Sequence, residues 1–229
     1  MKSQFILSLP SWFVEQLVKH DYGFTPASDI QFNGKPLSDP DTFKEWLAKD
    51  FSTFAFYAQR ERLEKDLGSR HVIPYIRPVN SKGETYVYSR TNASGEAGLH
   101  SRVSICLGGH VDLANVKVIG SPILGDPLNS TPDFYQTLLV GAHTELNEEL
   151  GLNPEDLGDL VFDGLIVMTG PVNEVHVAFV MSVQVTDSAY DNEPEDTIQF
   201  LEAAVPCAAL AEKYSDRMED WSRVLCESL

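Results

Sequence analysis

One helix-forming run restricts the fold of this 229-residue chain more than any other stretch, "DFYQTLLVGAHTELNEELG" from Asp133 to Gly151. Leu139, Ala142, Leu146 and Leu150 recur at steps of three and four, an apolar stripe that has to press on a core. Glu145, Glu148 and Glu149 stand at i, i+3 and i+4, so three carboxylates project into one small volume with no basic residue to balance them. Each like-charged pair at that spacing costs roughly 0.2–0.5 kcal/mol on an exposed helix. Either the face is simply solvated, or the carboxylates gather round a cation. Thr131 reads as the N-cap, with Pro132 at the first helical position and Asp133 in the first turn, and Gly151 reads as the stop.

A helix with one apolar face needs a partner surface, and the flanking sequence supplies strands. From Arg70 the period is that of strands in "HVIPYIRPV" and "TYVYSR", joined across the turn "NSKGE" as a hairpin. "RVSICLGGH" is a third run ending in a glycine pair, an irregular insert follows at 113–131, and "LVFDGLIVMT" and "EVHVAFVMSVQV" follow the acidic helix. The terminal "PCAALAEKYSDRMEDWSRVLCESL" reads as a helix. The order β-β-β-α-β-β-α predicts an α/β (α+β) fold with a mixed sheet covered by helices, over residues 68–229. Residues 1–67 are expected to form a small, self-contained and mostly helical segment, with "PSWFVEQLVKH" and "DTFKEWLAKDF" at helical spacing around the turn-rich "FNGKPLSDPD".

Charge narrows the partners. The net charge of -17 argues against duplex nucleic acid and anionic membranes, whose affinity rests on lysine and arginine. Residues 118–212 hold 17 acidic residues and no Lys or Arg, a field that attracts hard divalent cations. Glu155, Asp156, Asp159 and Asp196 read as solvated surface. No apolar run reaches the roughly 18–20 residues of a membrane span, and Pro10 interrupts the N-terminal apolar run too early for a signal peptide, so a cytoplasmic location is expected. Cys106, Cys207 and Cys226 lack C-x-x-C spacing and read as buried thiols rather than a disulfide framework or a zinc site.

Gly108 and Gly109 close a strand and let backbone approach a ligand, and a carbonyl from that loop added to two or three carboxylates makes an oxygen shell suited to Mg²⁺ or Mn²⁺. At these residues, "GGHVD" at 108–112 and "TELNEELGL" at 144–152, the chain resembles the Nudix hydrolases; eight of the nine positions of the helical signature are compatible. "ERLEKDLGSRHVIPYI", "GLHSRVSICLGGH", "NEVHVAFV" and "MEDWSRVL" are similar to the branch described as predicted MutT-like phosphoesterases, so the resemblance covers about residues 60–229. It implies an α/β/α sandwich, Glu148 and Glu149 as metal ligands, Glu145 as a further ligand or the base that activates water, and the Gly109 carbonyl as a main-chain ligand. It implies cleavage of a nucleoside diphosphate linked to another group by a metal-activated water. The sequence departs from the pattern at Thr144, where the family carries an arginine that braces a carboxylate, and at Gln136, where an upstream glutamate stands. It also separates "GGHVD" from the helix by about 19 residues. His143 is a possible substitute brace.

Four further residues are candidates for the substrate. Arg77, Arg90 and Arg102 lie on strands before the loop, where forked guanidiniums pair with phosphates. His176 shares a strand face with Glu174, and "DNEPED" offers Glu193 and Glu195 as an extra ligand or base. A Nudix-fold module that holds a nucleotide or metal without turnover is the alternative to an enzyme; a homodimer and a protein partner engaged through residues 1–67 are compatible with both.

Overall fold

The computed structural model describes residues 4–19, 22–91, 101–119, 131–170, 173–186 and 198–229. Ten strands among them form one mixed sheet: β1 (Phe5–Pro10), β2 (Gly23–Pro26), β3 (Phe56–Gln59), β4 (Ser69–Val79), β5 (Thr85–Arg90), β6 (Val103–Ser104), β7 (Leu107–Gly108), β8 (Leu157–Val167), β9 (His176–Val185) and β10 (Ile198–Val205). Its spine runs β10-β5-β4-β9-β8-β2, with β4–β9 its parallel pairing and the rest antiparallel. β1 pairs with β3 and the start of β4, β6 with β5, and β7 with β4. β4 is buried along nearly its whole length, as expected of a central strand covered on both faces.

The longer α-helices among the described residues are α1 (Ser11–Leu17), α2 (Pro40–Trp46), α3 (Phe134–Leu150), α4 (Cys207–Lys213) and α5 (Asp220–Ser228). On one face Ala142, Leu146 and Leu150 of α3 share a core with Ile76 and Leu107, while Phe134 and Leu138 join Val72 and Phe179. On the other face Leu210 of α4 and Leu225 and Cys226 of α5 pack with Tyr75, Ala178 and Val180. Alternation along β4 therefore turns His71 and Tyr75 toward α5, and Val72, Pro74 and Ile76 toward α3. Among the described residues no helix is long and apolar enough to cross a membrane.

Residues 1–67 supply strands β1, β2 and β3 as well as helices, and their aromatic residues enter the common core. Phe43 stacks on Phe162 at 4.2 Å between ring centroids, and Phe51 meets Phe134 at 5.0 Å and Phe179 at 5.8 Å. The chain from Ser69 onward thus shares its sheet and core with what precedes it.

Three local expectations are corrected. Helix α3 begins after Asp133, whose carboxylate accepts from the Gln136 N–H at 3.0 Å; Thr131 and Pro132 instead pair with Val118 and Ile119 in a two-stranded ribbon. Leu138, not Leu139, belongs to the core stripe; Leu139 turns to a cleft shared with Tyr135, His143 and Leu160. The C-terminal run is two helices, because backbone at Arg217 and Glu219 is drawn off to bond Val103 of β6, at 2.8 Å each. Gly151 ends α3 at φ 65°, a left-handed conformation that glycine adopts without strain. Cys106 and Cys226 are buried and Cys207 half-buried, with the Cys207 and Cys226 sulfurs 3.1 Å apart as free thiols.

Candidate active site

Val118–Ile119 pairs with Thr131–Pro132, so the chain before and after the insert is held together, and the glycine pair and the acidic helix are neighbours despite their separation in sequence. The contact is direct. A β-carbon built on Gly109 would lie 2.5 Å from Cδ of Glu145 and 2.7 Å from its Oε2, closer than any real side chain tolerates. The Glu145 carboxyl group therefore packs on the Gly109 backbone, in space that a β-carbon would take from it. Gly108 is fixed from the sheet side: a β-carbon there would meet the Pro74 carbonyl oxygen at 2.8 Å.

Burial graded along α3 sorts the three glutamates. Glu145 and Glu149 are half-buried and Glu148 is exposed. Burial, then repulsion from Glu149 and Glu148, pushes the Glu145 carboxyl up to about 7, with Arg90 pulling the other way. A largely buried carboxyl beside two carboxylates, packed on glycine backbone, is a place where a cation relieves several unfavourable terms at once.

Arg90 partly supplies that charge. At the end of β5, its Nη1 lies 3.5 Å from Glu149 Oε1 and its Nε donates to Glu219 Oε1 at 3.0 Å, all three side chains being largely buried. Burial opposes its charge, but Tyr88, Glu219 and Glu149 outweigh that and hold the guanidinium firmly protonated. The guanidinium beside Glu149 thus comes from a strand rather than from the helix. Thr144 itself turns its hydroxyl back to the Val140 carbonyl at 2.8 Å. His143, whose burial lowers its pKa, lines the cleft with Tyr135 and Leu139 and is not on the glutamate face.

The other candidates lie elsewhere. Arg77 is beside Asp163 at 4.0 Å, near Cys207 on the α4 side of the sheet, and so is not brought to the glutamates. Arg102 is exposed, and its carbonyl accepts from the Arg90 N–H at 3.1 Å, which leaves it at the margin of the site. Gln136 is exposed in the first turn of α3. Glu193 and Glu195 lie outside the described residues. Glu174 sits in a 3₁₀ turn before β9 rather than in the strand.

His176 belongs to a different constellation. It is in register with His71 across the parallel β4–β9 pair, and both face α5. His110 follows Gly109, and alternation along this extended segment turns Gly109 to Glu145 and His110 to the histidines. His110 Nε2 is 3.2 Å from His71 Nδ1 and 3.4 Å from His176 Nε2. Burial first, then the neighbouring positive charges, lowers the His110 pKa to about 3 and that of His71 to about 4, so both rings are neutral near pH 7. Sequence reasoning missed His71 and His110, because partners 39 and 66 residues apart leave no spacing to read.

No family model matches the chain. Tm1382, whose own assignment as a Nudix hydrolase is a proposal, superposes with a TM-score of 0.66 at 21% identity, over 98% of this chain and 97% of that one. The fold is Nudix-like. Protein YmaB of Bacillus subtilis strain 168 is 25% identical over 173 residues, 75% of this chain and 76% of YmaB. A slighter likeness, DR0079 from Deinococcus radiodurans, has a TM-score of 0.43 at 14% identity, covering 69% of this chain and 82% of that one. Within the Nudix-like fold the acidic helix α3 and the Gly108–Gly109 turn are brought into contact on one face, with the histidines on the other.

Proposed function

We propose that this protein is a metal-dependent hydrolase that cleaves a phosphoanhydride bond in a nucleoside diphosphate linked to another group. The observation that carries the reading is the seating of the Glu145 carboxyl on the Gly109 backbone, with Glu148 and Glu149 one turn further along the same helix. The donors are all oxygens, two carboxylates half-buried and one exposed, which fits Mg²⁺ or Mn²⁺ held by Glu145, Glu148, Glu149 and the Gly109 carbonyl. A metal ion bound there supplies positive charge that makes water more acidic and offsets the charge on phosphate oxygens.

The chain's own residues divide the remaining work. Glu145, seated on the Gly109 backbone beside the other two carboxylates, is either a further ligand or the group that accepts a proton from water. Arg90 is a positioning residue: it holds Glu149 from one side and is itself held by Glu219. Arg102, exposed at the margin, is the candidate for contact with substrate phosphate. The test is phosphate or nucleoside monophosphate release from a panel of nucleotide sugars, dinucleoside polyphosphates and nucleoside triphosphates, with Mg²⁺ or Mn²⁺. Turnover by wild type that falls at least 100-fold in Glu149→Gln supports the enzyme. Metal binding without turnover on any of them assigns the site to a binding module instead.

A further inference from the structure

His110 brings a single ring nitrogen against two other histidine rings. A neutral imidazole has one N–H and one in-plane lone pair. His110 Nε2 is approached by both His71 Nδ1 and His176 Nε2, so no choice of tautomers makes both contacts good hydrogen bonds. One ring nitrogen from each of the three lies within 4.8 Å of the others. Zinc–nitrogen bonds of about 2.0–2.1 Å in a tetrahedral arrangement separate adjacent nitrogens by about 3.3–3.4 Å. The two measured separations, 3.2 and 3.4 Å, fall at that edge length.

The surroundings agree. Ser8 of β1 is in register with His71, so the row across β1, β4 and β9 reads Ser8, His71, His176 on one face of the sheet. Ser8 Oγ is fully buried without a hydrogen-bond partner, as expected where a ligand or its water is part of the structure. Arg70 Nη1 ties down the backbone at His176, donating to its carbonyl at 3.3 Å. Arg60 and Glu64, which act on His71 in opposite senses, are paired with each other at 2.8 Å, so at that ring the acid offsets the arginine, while at His110 Arg60 acts without it.

We propose that His71, His110 and His176 form a second metal site, for a borderline divalent transition-metal ion of the zinc class, with a fourth position left to solvent on the side of the half-buried His110 and His176. The nitrogen donors separate it chemically from the oxygen donors on the α3 face: imidazole suits zinc, cobalt and nickel, whereas carboxylate and carbonyl oxygens suit Mg²⁺ and Mn²⁺. The proposal does not depend on the protein being a hydrolase. Because Gly109 and His110 are consecutive, such an ion would also fix the loop on which Glu145 rests.

The experiment uses the full chain, stripped with a chelator and dialysed. Titration with Co²⁺ should give the intense visible bands of a tetrahedral nitrogen-ligated ion, displaced by one equivalent of Zn²⁺. His110→Gln and His176→Gln, which alter half-buried residues, should lower zinc affinity by at least the ~10–100-fold seen when only an outer-shell partner is lost, and Glu149→Gln should leave it unchanged. Equal zinc affinity in wild type and both folded histidine variants overturns the proposal. So does zinc binding that is lost in Glu149→Gln and kept in the histidine variants, which would assign it to the carboxylates. If the variants do not fold, X-ray absorption of the zinc-loaded wild type decides: about three imidazole nitrogens at ~2.0 Å support the site, and a shell of oxygens alone refutes it.

Discussion

Arg90→Gln is the sharpest test of how the acidic face is held. The substitution keeps the approximate shape of the side chain and removes a charge lying between two carboxylates, 3.0 Å from Glu219 and 3.5 Å from Glu149. The side chains are 13%, 9% and 15% exposed, so water screens them poorly. At an effective dielectric of ~20 each attraction is worth about 5 kcal/mol before desolvation is subtracted. Stranding a buried charge by removing its partner costs about 3–5 kcal/mol net. For a chain of this size that lowers Tm by roughly 6–20 °C. Circular dichroism melts in EDTA at pH 8 should show this loss. Arg90→Lys, which keeps the charge and gives up the fork, should lose less. A Tm within about 2 °C of wild type, or a loss as large in Arg90→Lys as in Arg90→Gln, would refute the bracing role of the charge.

Leu146 is fully buried between α3 and the sheet, so Leu146→Ala should cost about 2–5 kcal/mol in a denaturant titration, whereas exposed Glu148→Gln should leave stability within experimental error. Gly109→Ala should displace the end of the flexible Glu145 side chain, keep the fold, and abolish the rise in Tm that saturating Mg²⁺ gives wild type, about 2.7 kcal/mol at a hundredfold excess over Kd; a full metal response in Gly109→Ala would show that Glu145 is not a ligand. Glu145 keeps its proton to about pH 7 in the fold against 4.5 in the free side chain, so its contribution to stability is complete below 4.5 and lost as pH rises through 7. Metal-free Glu145→Gln should therefore gain on wild type by on the order of 3 kcal/mol between pH 4.5 and pH 8, and a difference independent of pH would contradict the burial and repulsion assigned to that carboxyl.

What the sequence disclosed depended on how local the determining contacts are. Helix α3, its glycine stop and the β4–β5 hairpin follow from periods and turn residues within a few positions of each other, and all three are present. β10 was not legible, because "IQFLEAAV" puts Glu202 and two alanines into a strand whose support comes from pairing with distant β5. The break between α4 and α5 was equally hidden, since it is made by hydrogen bonds to Val103, more than a hundred residues away. The single stretch "GGHVDLAN" shows the same limit from the other side: its glycines announce a turn, but nothing in it announces β1, whose Leu7 N–H bonds the Val111 carbonyl at 2.9 Å.

The candidate site divides along the same line. Glu145, Glu148 and Glu149 were readable because one helix face carries all three, and the pairing with Gly109 was inferable from chemistry. The partner of Glu149 was not. A brace within the helix would have stood at Thr144, where the chain has a hydroxyl bonded to its own helix; the guanidinium beside Glu149 comes instead from the end of a strand 59 residues earlier, and is seated by Glu219 at the start of α5. The charge needed at that point is a requirement of the carboxylates, not of any sequence position. A helix cap, a strand end and a distant acid can meet the requirement together, provided the sheet sets their separation. Arg90 is therefore a product of topology: β5 must end level with the last turns of α3, and α5 must begin there too. A residue in that role is invisible to any pattern confined to the helix it serves.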